Sequence, residues 1–150
     1  MIETADRGAQ TDSCAGLTPC DKGRILLVDD EESIVKIFTI VIGMNFPALA
    51  LDTAENGQVA VDLFAQRHHG LVLLDVRMPV MDGERAYQAI DRLCAERRWE
   101  MPGVIFCTGF VLPDSLRKAA ARRCHYVIEK PVGLDLLVEA IRLGLGQTEF

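Results

Sequence analysis

Three carboxylates, a hydroxyl and an ammonium stand at points in this chain where short apolar runs stop. Asp29 and Asp30 follow RILLV, Asp75 follows LVLL, Thr108 follows VIFC, and Lys130 comes just after YVI and Glu129. Carboxylates gathered at one place repel one another and raise each other's pKa unless a cation lies between them. Oxygen-only donors suit a hard ion such as Mg2+, which takes one or two carboxylates and keeps water or phosphate oxygens in its remaining positions. A carboxylate so placed can attack a phosphoryl donor, while a hydroxyl and an ammonium hold and neutralise the phosphoryl oxygens. The chemistry these residue types support is capture of a phosphoryl group on Asp75, a reaction that consists mainly of positioning and charge neutralisation.

For those residues to meet, the apolar runs must be strands of one sheet that all end at the same edge. Leu71, Val72, Leu73 and Leu74 are apolar without alternation, as in a parallel strand covered on both faces. Ligands of open α/β sheets sit outside the carboxyl ends of such strands, which is where Asp75 falls. Residues 24–28, 48–54, 104–107 and 126–128 read as four more strands. Between them run helical patterns. Residues 31–44 carry Ile34, Ile37, Phe38 and Val41 on one face, and Asn56 caps a helix bearing Val59, Ala60, Leu63 and Phe64. Residues 84–99, 113–123 and 134–145 follow, with Ala86 and Ile90, Leu116 and Ala119, and Leu137 and Ile141 turned inward. Strands alternating with helices predict an α/β domain, a doubly wound five-stranded parallel sheet with five helices and right-handed crossovers.

Composition bounds the partners. A chain of 150 residues makes one domain that buries roughly two thirds of its unfolded surface. A net charge of -6 argues against direct nucleic-acid binding. Five cysteines with no CxxC pair indicate neither a disulfide framework nor a zinc site, which fits a cytoplasmic setting. No apolar run is long enough for membrane insertion, and MIETADRGAQTDSC lacks the basic-then-apolar order of a signal. Residues 1–22 hold few large apolar side chains and are expected to form a flexible N-terminal tail, leaving residues 23–150 as the domain.

Four stretches in this order, ILLVDDEES at 25–33, LLDVRMPVMDG at 73–83, CTG at 107–109 and EKP at 129–131, resemble the receiver domain of two-component response regulators. The resemblance covers position 24 to about 146. It implies a flavodoxin-like fold with strand order 2-1-3-4-5, Asp75 as phosphoacceptor, and Mg2+ bound by Asp30, Asp75, the Arg77 backbone carbonyl and, through water, Asp29. It further implies Thr108 as switch hydroxyl, Lys130 as the phosphoryl-contacting lysine and a cis bond before Pro131. The phosphodonor would be a sensor histidine kinase or a histidine phosphotransfer protein, and output would run through direct contact with a downstream protein, no output domain being expected. Arg77 and Phe110 match the positions two beyond the phosphoacceptor and the switch hydroxyl, where they would overhang the phosphoryl group and lengthen its lifetime. The chain departs from the family where an aromatic residue is common three positions before the lysine: Val127 stands there, with Tyr126 one residue earlier and so on the opposite strand face.

An alternative reading is a small Mg2+-dependent phosphotransferase or phosphatase with an Asp nucleophile. Against it, Arg77 occupies the place of a second acid two residues after the nucleophile, and no inserted cap would enclose a substrate. A flavin carrier would need a phosphate-cradling loop after the first strand, which is missing. Of the remaining features, His68 and His69 read as solvent-facing residues at a helix end, and Arg117, Lys118, Arg122 and Arg123 as a solvated basic helix face. Val35, Thr39, Ile42 and Phe46 form a second stripe on the first helix, either a docking surface or simply deeper burial. Leu136, Ala140 and Leu143 on the last helix raise the expectation of a weak homodimer through the fourth and fifth helices.

Overall fold

The computed structural model describes residues 2–3 and 16–146. In chain order the elements are β1 (Ile2–Glu3), β2 (Asp21–Val28), α1 (Glu32–Asn45), β3 (Ala50–Ala54), α2 (Gly57–Arg67), β4 (His69–Asp75), α3 (Gly83–Arg97), β5 (Gly103–Thr108), α4 (Asp114–Ala119), β6 (His125–Glu129) and α5 (Leu134–Gly144). The sheet runs β1-β6-β5-β4-β2-β3. Its five parallel strands, β2 to β6, therefore lie in the expected order 2-1-3-4-5. The short β1 is antiparallel to β6, with Ile2 opposite Ile128 and Glu3 opposite Val127.

Strand alternation divides the interior into two layers. Leu26, Val28, Val72, Leu74, Val104, Phe106 and Val127 pack under α2, α3 and α4, while Ile25, Leu27, Leu71, Leu73, Ile105 and Ile128 pack under α1 and α5. Burial on both faces is why these strands read as unbroken apolar runs. The helices start on local signals: the Asn56 side chain accepts from Val59 N at 3.0 Å and Asp82 from Arg85 N at 2.9 Å, each satisfying one orphan amide of a first turn. α2 and α3 end in left-handed residues that are not glycine, His68 (φ 49°) and Arg98 (φ 55°).

Several expectations need correction. Part of the segment expected to be a free tail is docked: besides β1, Thr18 bridges to Trp99, and Cys20 N donates to Glu100 Oε1 at 3.0 Å. Residue 1 and residues 4–15 of that segment lie outside the described residues. On α1, Ile37 is 46% exposed, whereas Ile42 is 1% exposed and Phe46 9%. The covered face takes Phe38 from the first stripe and Ile42 and Phe46 from the second, with Val35 packed against the same layer and Thr39 exposed, so most of the proposed docking stripe is core. α4 spans six residues and stops at Ala119. Beyond it Arg122 is not a solvated surface charge: it donates to Asp91 Oδ1 at 2.9 Å and to the Tyr87 hydroxyl at 3.0 Å. On the α5 stripe Ala140 is buried, while Leu136 and Leu143 are half-buried against the core.

His68 and His69 are also buried, not solvent-facing. The His68 ring stacks on Trp99 at 4.2 Å between centroids and its Nε2 meets Glu100 O at 2.8 Å. His69 opens β4, and its Nε2 lies 2.7 Å from Asp52 Oδ2, which also pairs with Arg24 at 3.3 Å. Burial pushes both imidazoles below their ordinary pKa, and the second ring nitrogen of His69, Nδ1, is buried without a hydrogen-bond partner.

Glycine is required where β4 hands over to α3. A Cβ on Gly83 would lie 2.4 Å from the Asp75 carbonyl oxygen and 2.8 Å from Val76 Cα. Backbone cannot yield cheaply, so Gly83→Ala is expected to cost on the order of 1–3 kcal/mol in urea unfolding. Gly43, inside α1 with nothing within 4 Å of a Cβ, is the control, since there alanine should stabilise by about 0.5–1 kcal/mol. Equal effects at the two sites would rule out the clash.

Candidate functional site

Parallel strand ends bring the acids together. β2 and β4 are neighbours paired up to Val28 and Leu74, so Asp29 and Asp75 emerge side by side, with Asp30 one residue outward. Asp29 and Asp75 are buried and Asp30 is exposed, and the three offer carboxylate oxygens within 4.8 Å of one another. Asp29 Oδ1 accepts from Glu31 N at 2.9 Å, and its Oδ2 accepts from Lys130 Nζ. Asp75 Oδ1 takes a longer bond, 3.4 Å, from the Arg77 amide.

Lys130 reaches this cluster from two strands away. Its backbone N donates to Thr108 O at 2.9 Å, extending the β5–β6 ladder by one step, and the Lys130–Pro131 bond is cis. The ammonium spans two acids, 3.1 Å from Asp29 Oδ2 and 3.3 Å from Asp75 Oδ1. Burial first, and then the Asp29 charge, push the Asp75 carboxyl up to about 6, against the opposing pull of Lys130. Burial works against the Lys130 ammonium, but the two carboxylates more than offset it and its pKa is raised. Two buried acids sharing one cation remain short of positive charge. An oxygen-only donor set of this kind fits a hard divalent ion.

Thr108 ends β5 buried, and its hydroxyl is engaged within its own loop: Oγ1 donates to Phe110 O at 3.0 Å and accepts from Phe110 N at 3.0 Å. The Arg77 guanidinium lies 4.3 Å over the Phe110 ring, so the two residues expected to overhang the site touch each other across it. A cleft of about 650 Å3 opens beside them, lined by Asp30, Arg77, Met78, Glu84, Thr108 and Phe110. A second, of about 710 Å3, lies on the other side of Phe110, with Leu112, Ala120, Val127 and Lys130 among its walls. Val127 belongs to the layer under α4 and Tyr126 to the opposite one, so Tyr126 cannot replace an aromatic at position 127.

Sequence reasoning did not foresee three details. Val80 stands in the left-handed region at φ 68°, inside the tight turn that the Met81 N to Pro79 O bond of 2.8 Å closes. Ser115 donates to Glu84 and ties the first turns of α3 and α4. The hydroxyl bonding of Thr108 is the third, and its spacing to Phe110 is a common Ser/Thr turn signal.

The chain is thus a doubly wound α/β domain with an acidic pocket at the carboxyl edge of its sheet, a lysine across that pocket and a hydroxyl at the end of β5. Residues 25–142 match the model of the response regulator receiver domain. The chain is similar to the chemotaxis protein CheY of Bacillus subtilis, 32% identical over 123 residues, covering 81% of this chain and 97% of that one. It also resembles the regulatory protein AtoC of Escherichia coli, 40% identical over 117 residues, which are 76% of this chain but 23% of AtoC. In three dimensions it resembles a CheX–CheY–BeF3–Mg2+ complex from Borrelia burgdorferi, with a TM-score of 0.65 and 24% identity over 79% of this chain and 86% of that one. The chain belongs to the response regulator receiver domain family.

Proposed function

We propose that Asp75 accepts a phosphoryl group from the phosphohistidine of a sensor histidine kinase or histidine phosphotransfer protein, and that the phosphorylated form signals by contacting a downstream protein in the cytoplasm. One observation carries the reading: a buried carboxylate crowded by a second acid, with the Lys130 ammonium 3.3 Å away. In the transfer an Asp75 oxygen forms the bond to phosphorus as the donor's P–N bond breaks; the imidazole nitrogen keeps the electron pair and takes up a proton. Asp29, Asp30, Asp75 and the Arg77 carbonyl would hold Mg2+, which neutralises charge on the transferring oxygens. Lys130 balances another phosphoryl oxygen, and the Thr108 hydroxyl hydrogen-bonds a third once it leaves Phe110. The test uses acetyl phosphate with Mg2+. Uptake of one stable phosphoryl group per chain supports the receiver reading, whereas steady turnover would indicate the small phosphatase.

Arg77 and Phe110 set the lifetime in this proposal. Hydrolysis needs water in line with the bond between the Asp75 oxygen and phosphorus, and a guanidinium stacked on a ring at 4.3 Å obstructs that approach while offering no group to orient the water. Arg77→Asn combined with Phe110→Glu is expected to speed phosphate loss on the order of tenfold, about 1.4 kcal/mol in the barrier. An unchanged loss rate in the double variant would reject the shielding.

A further inference from the structure

We propose that α1 is the face through which two copies of this chain associate, packing antiparallel against the α1 of a second copy about a two-fold axis at Ile40. Ile37, Ile40 and Met44 recur at spacings of three and four residues, the seam of a helix pair. They are 46%, 61% and 77% exposed and belong to neither apolar layer of the interior. Leu134 at the start of α5, 45% exposed, enlarges this surface: with Val41, Met44 and Val138 it walls a cleft of about 570 Å3 between the two helices. A continuous exposed apolar face of this kind marks an interface.

Gly43 points to a closely approaching helix. It lies inside α1 and not at its C-cap, which is Phe46, and its φ is not in the left-handed region. A Cβ there would meet nothing within 4 Å. Neither backbone geometry nor packing within the chain therefore calls for glycine, which weakens a helix relative to alanine. Three residues after Ile40, it stands beside that residue on the helix surface and leaves the flank of the stripe bare. How near two helix axes come depends on the side chains at their contact, and a missing one lets them come close. Thr39, on the same flank, already donates its hydroxyl to Val35 O at 2.6 Å, so covering it leaves no polar group without a partner.

The pattern of the helix selects a second copy as the occupant. Ile40 has a large apolar residue three positions before it and another four positions after it. The stripe is thus nearly the same in either direction and complements its own reverse, as an isologous contact demands. The chain carries a net charge of -6, which sets most faces of two copies against each other. Residues 37–45 hold no charge, and the two charges of α1, Glu32 and Lys36, offset each other 3.4 Å apart. Four partly exposed side chains per copy offer less than the ~800 Å2 that each partner buries in a standard interface. The dimer is accordingly weak, with a Kd on the order of 100 µM, and it differs from a pairing through α4 and α5.

The experiment is sedimentation equilibrium of the full chain under reducing conditions, from about 10 µM to about 1 mM, over which monomer should pass into dimer. Ile40→Glu and Met44→Glu, at exposed positions that the fold tolerates, should stay monomeric throughout, a rise in Kd of more than about tenfold. Gly43→Ala should move two measurements in opposite directions, resisting urea better while dimerising several-fold more weakly, because its methyl group occupies the gap. Val111→Glu, at an exposed apolar position in the β5–α4 loop, should leave association unchanged. In a mixture of isotope-labelled and unlabelled chains, filtered nuclear Overhauser contacts should join Ile37 of one copy to Met44 of the other, residues about 10 Å apart along a single helix. A parent chain still monomeric at the highest concentration would overturn the proposal and leave the stripe to a helix of another protein. A dimer that survives Ile40→Glu, or one that Val111→Glu abolishes, would overturn it as well. None of these readouts involves Asp75, so the phosphoacceptor reading is tested separately.

Discussion

Asp75→Asn is expected to abolish phosphoryl uptake and at the same time to make the metal-free protein more stable. The first effect follows from loss of the nucleophile, since a carboxamide of nearly the same shape has no anionic oxygen to offer. The second follows from the environment. Asp75 is 5% exposed, and burial together with Asp29 holds its carboxyl at about 6, above the ordinary 3.8. A carboxyl that binds its proton more tightly in the folded state than in the unfolded state destabilises the fold once ionised. The penalty is therefore full above the folded value and disappears as pH falls through 6 toward 3.8. At pH 8 the asparagine variant should gain on the order of 1–3 kcal/mol, partly offset by its weaker bond to Lys130. The gain should shrink to nothing near pH 4. Urea unfolding of both proteins at the two pH values checks this, and a variant no more stable than the parent at pH 8 would show that the three acids are not in conflict.

Lys130→Ala should have the opposite sign and a comparable size. Its ammonium lies within 3.3 Å of two buried carboxylates, and removing one partner of a buried pair leaves charge uncompensated, a loss of up to about 3 kcal/mol at pH 8. Acidification lets Asp75 take up a proton, so the deficit should narrow below pH 6. Combining it with Asp75→Asn should recover most of the loss, because only Asp29 then remains without a partner. Phosphoryl uptake from acetyl phosphate should survive in Lys130→Ala while response to it weakens, since the lysine contacts the phosphoryl group and is not the nucleophile. A single-variant deficit that does not change with pH would place the lysine's contribution in packing alone.

The strands were legible because a sheet covered on both faces demands apolar residues without alternation, and a polar residue that ends such a run is conspicuous. That alone placed Asp29, Asp75, Thr108 and Lys130 at one edge. Burial of polar residues was not legible. His69 lies two positions before Leu71 and shares its strand face, yet its place inside depends on Asp52 from another strand, a partner that no local pattern names. On α1, periodicity showed two apolar stripes, whereas the sheet covers a face between them that takes Phe38 from one and Ile42 and Phe46 from the other and leaves Ile37 exposed. Residue type points the Thr108 hydroxyl to the phosphoryl group, whereas the loop after β5 turns it to the Phe110 amide and carbonyl, which find their hydrogen-bond partner there.

β1 contributes two residues, but they lie along the outer side of the last parallel strand. Without them, the amides and carbonyls of Val127 and Ile128 on that side would face water unpaired, a ready template on which a strand from a neighbouring molecule could add. Sheets that grow by such addition do so without limit, because each new strand presents a fresh edge to the next. Ile2 and Glu3 occupy that part of the edge, so a strand from another copy could pair with Val127 and Ile128 there only by displacing them.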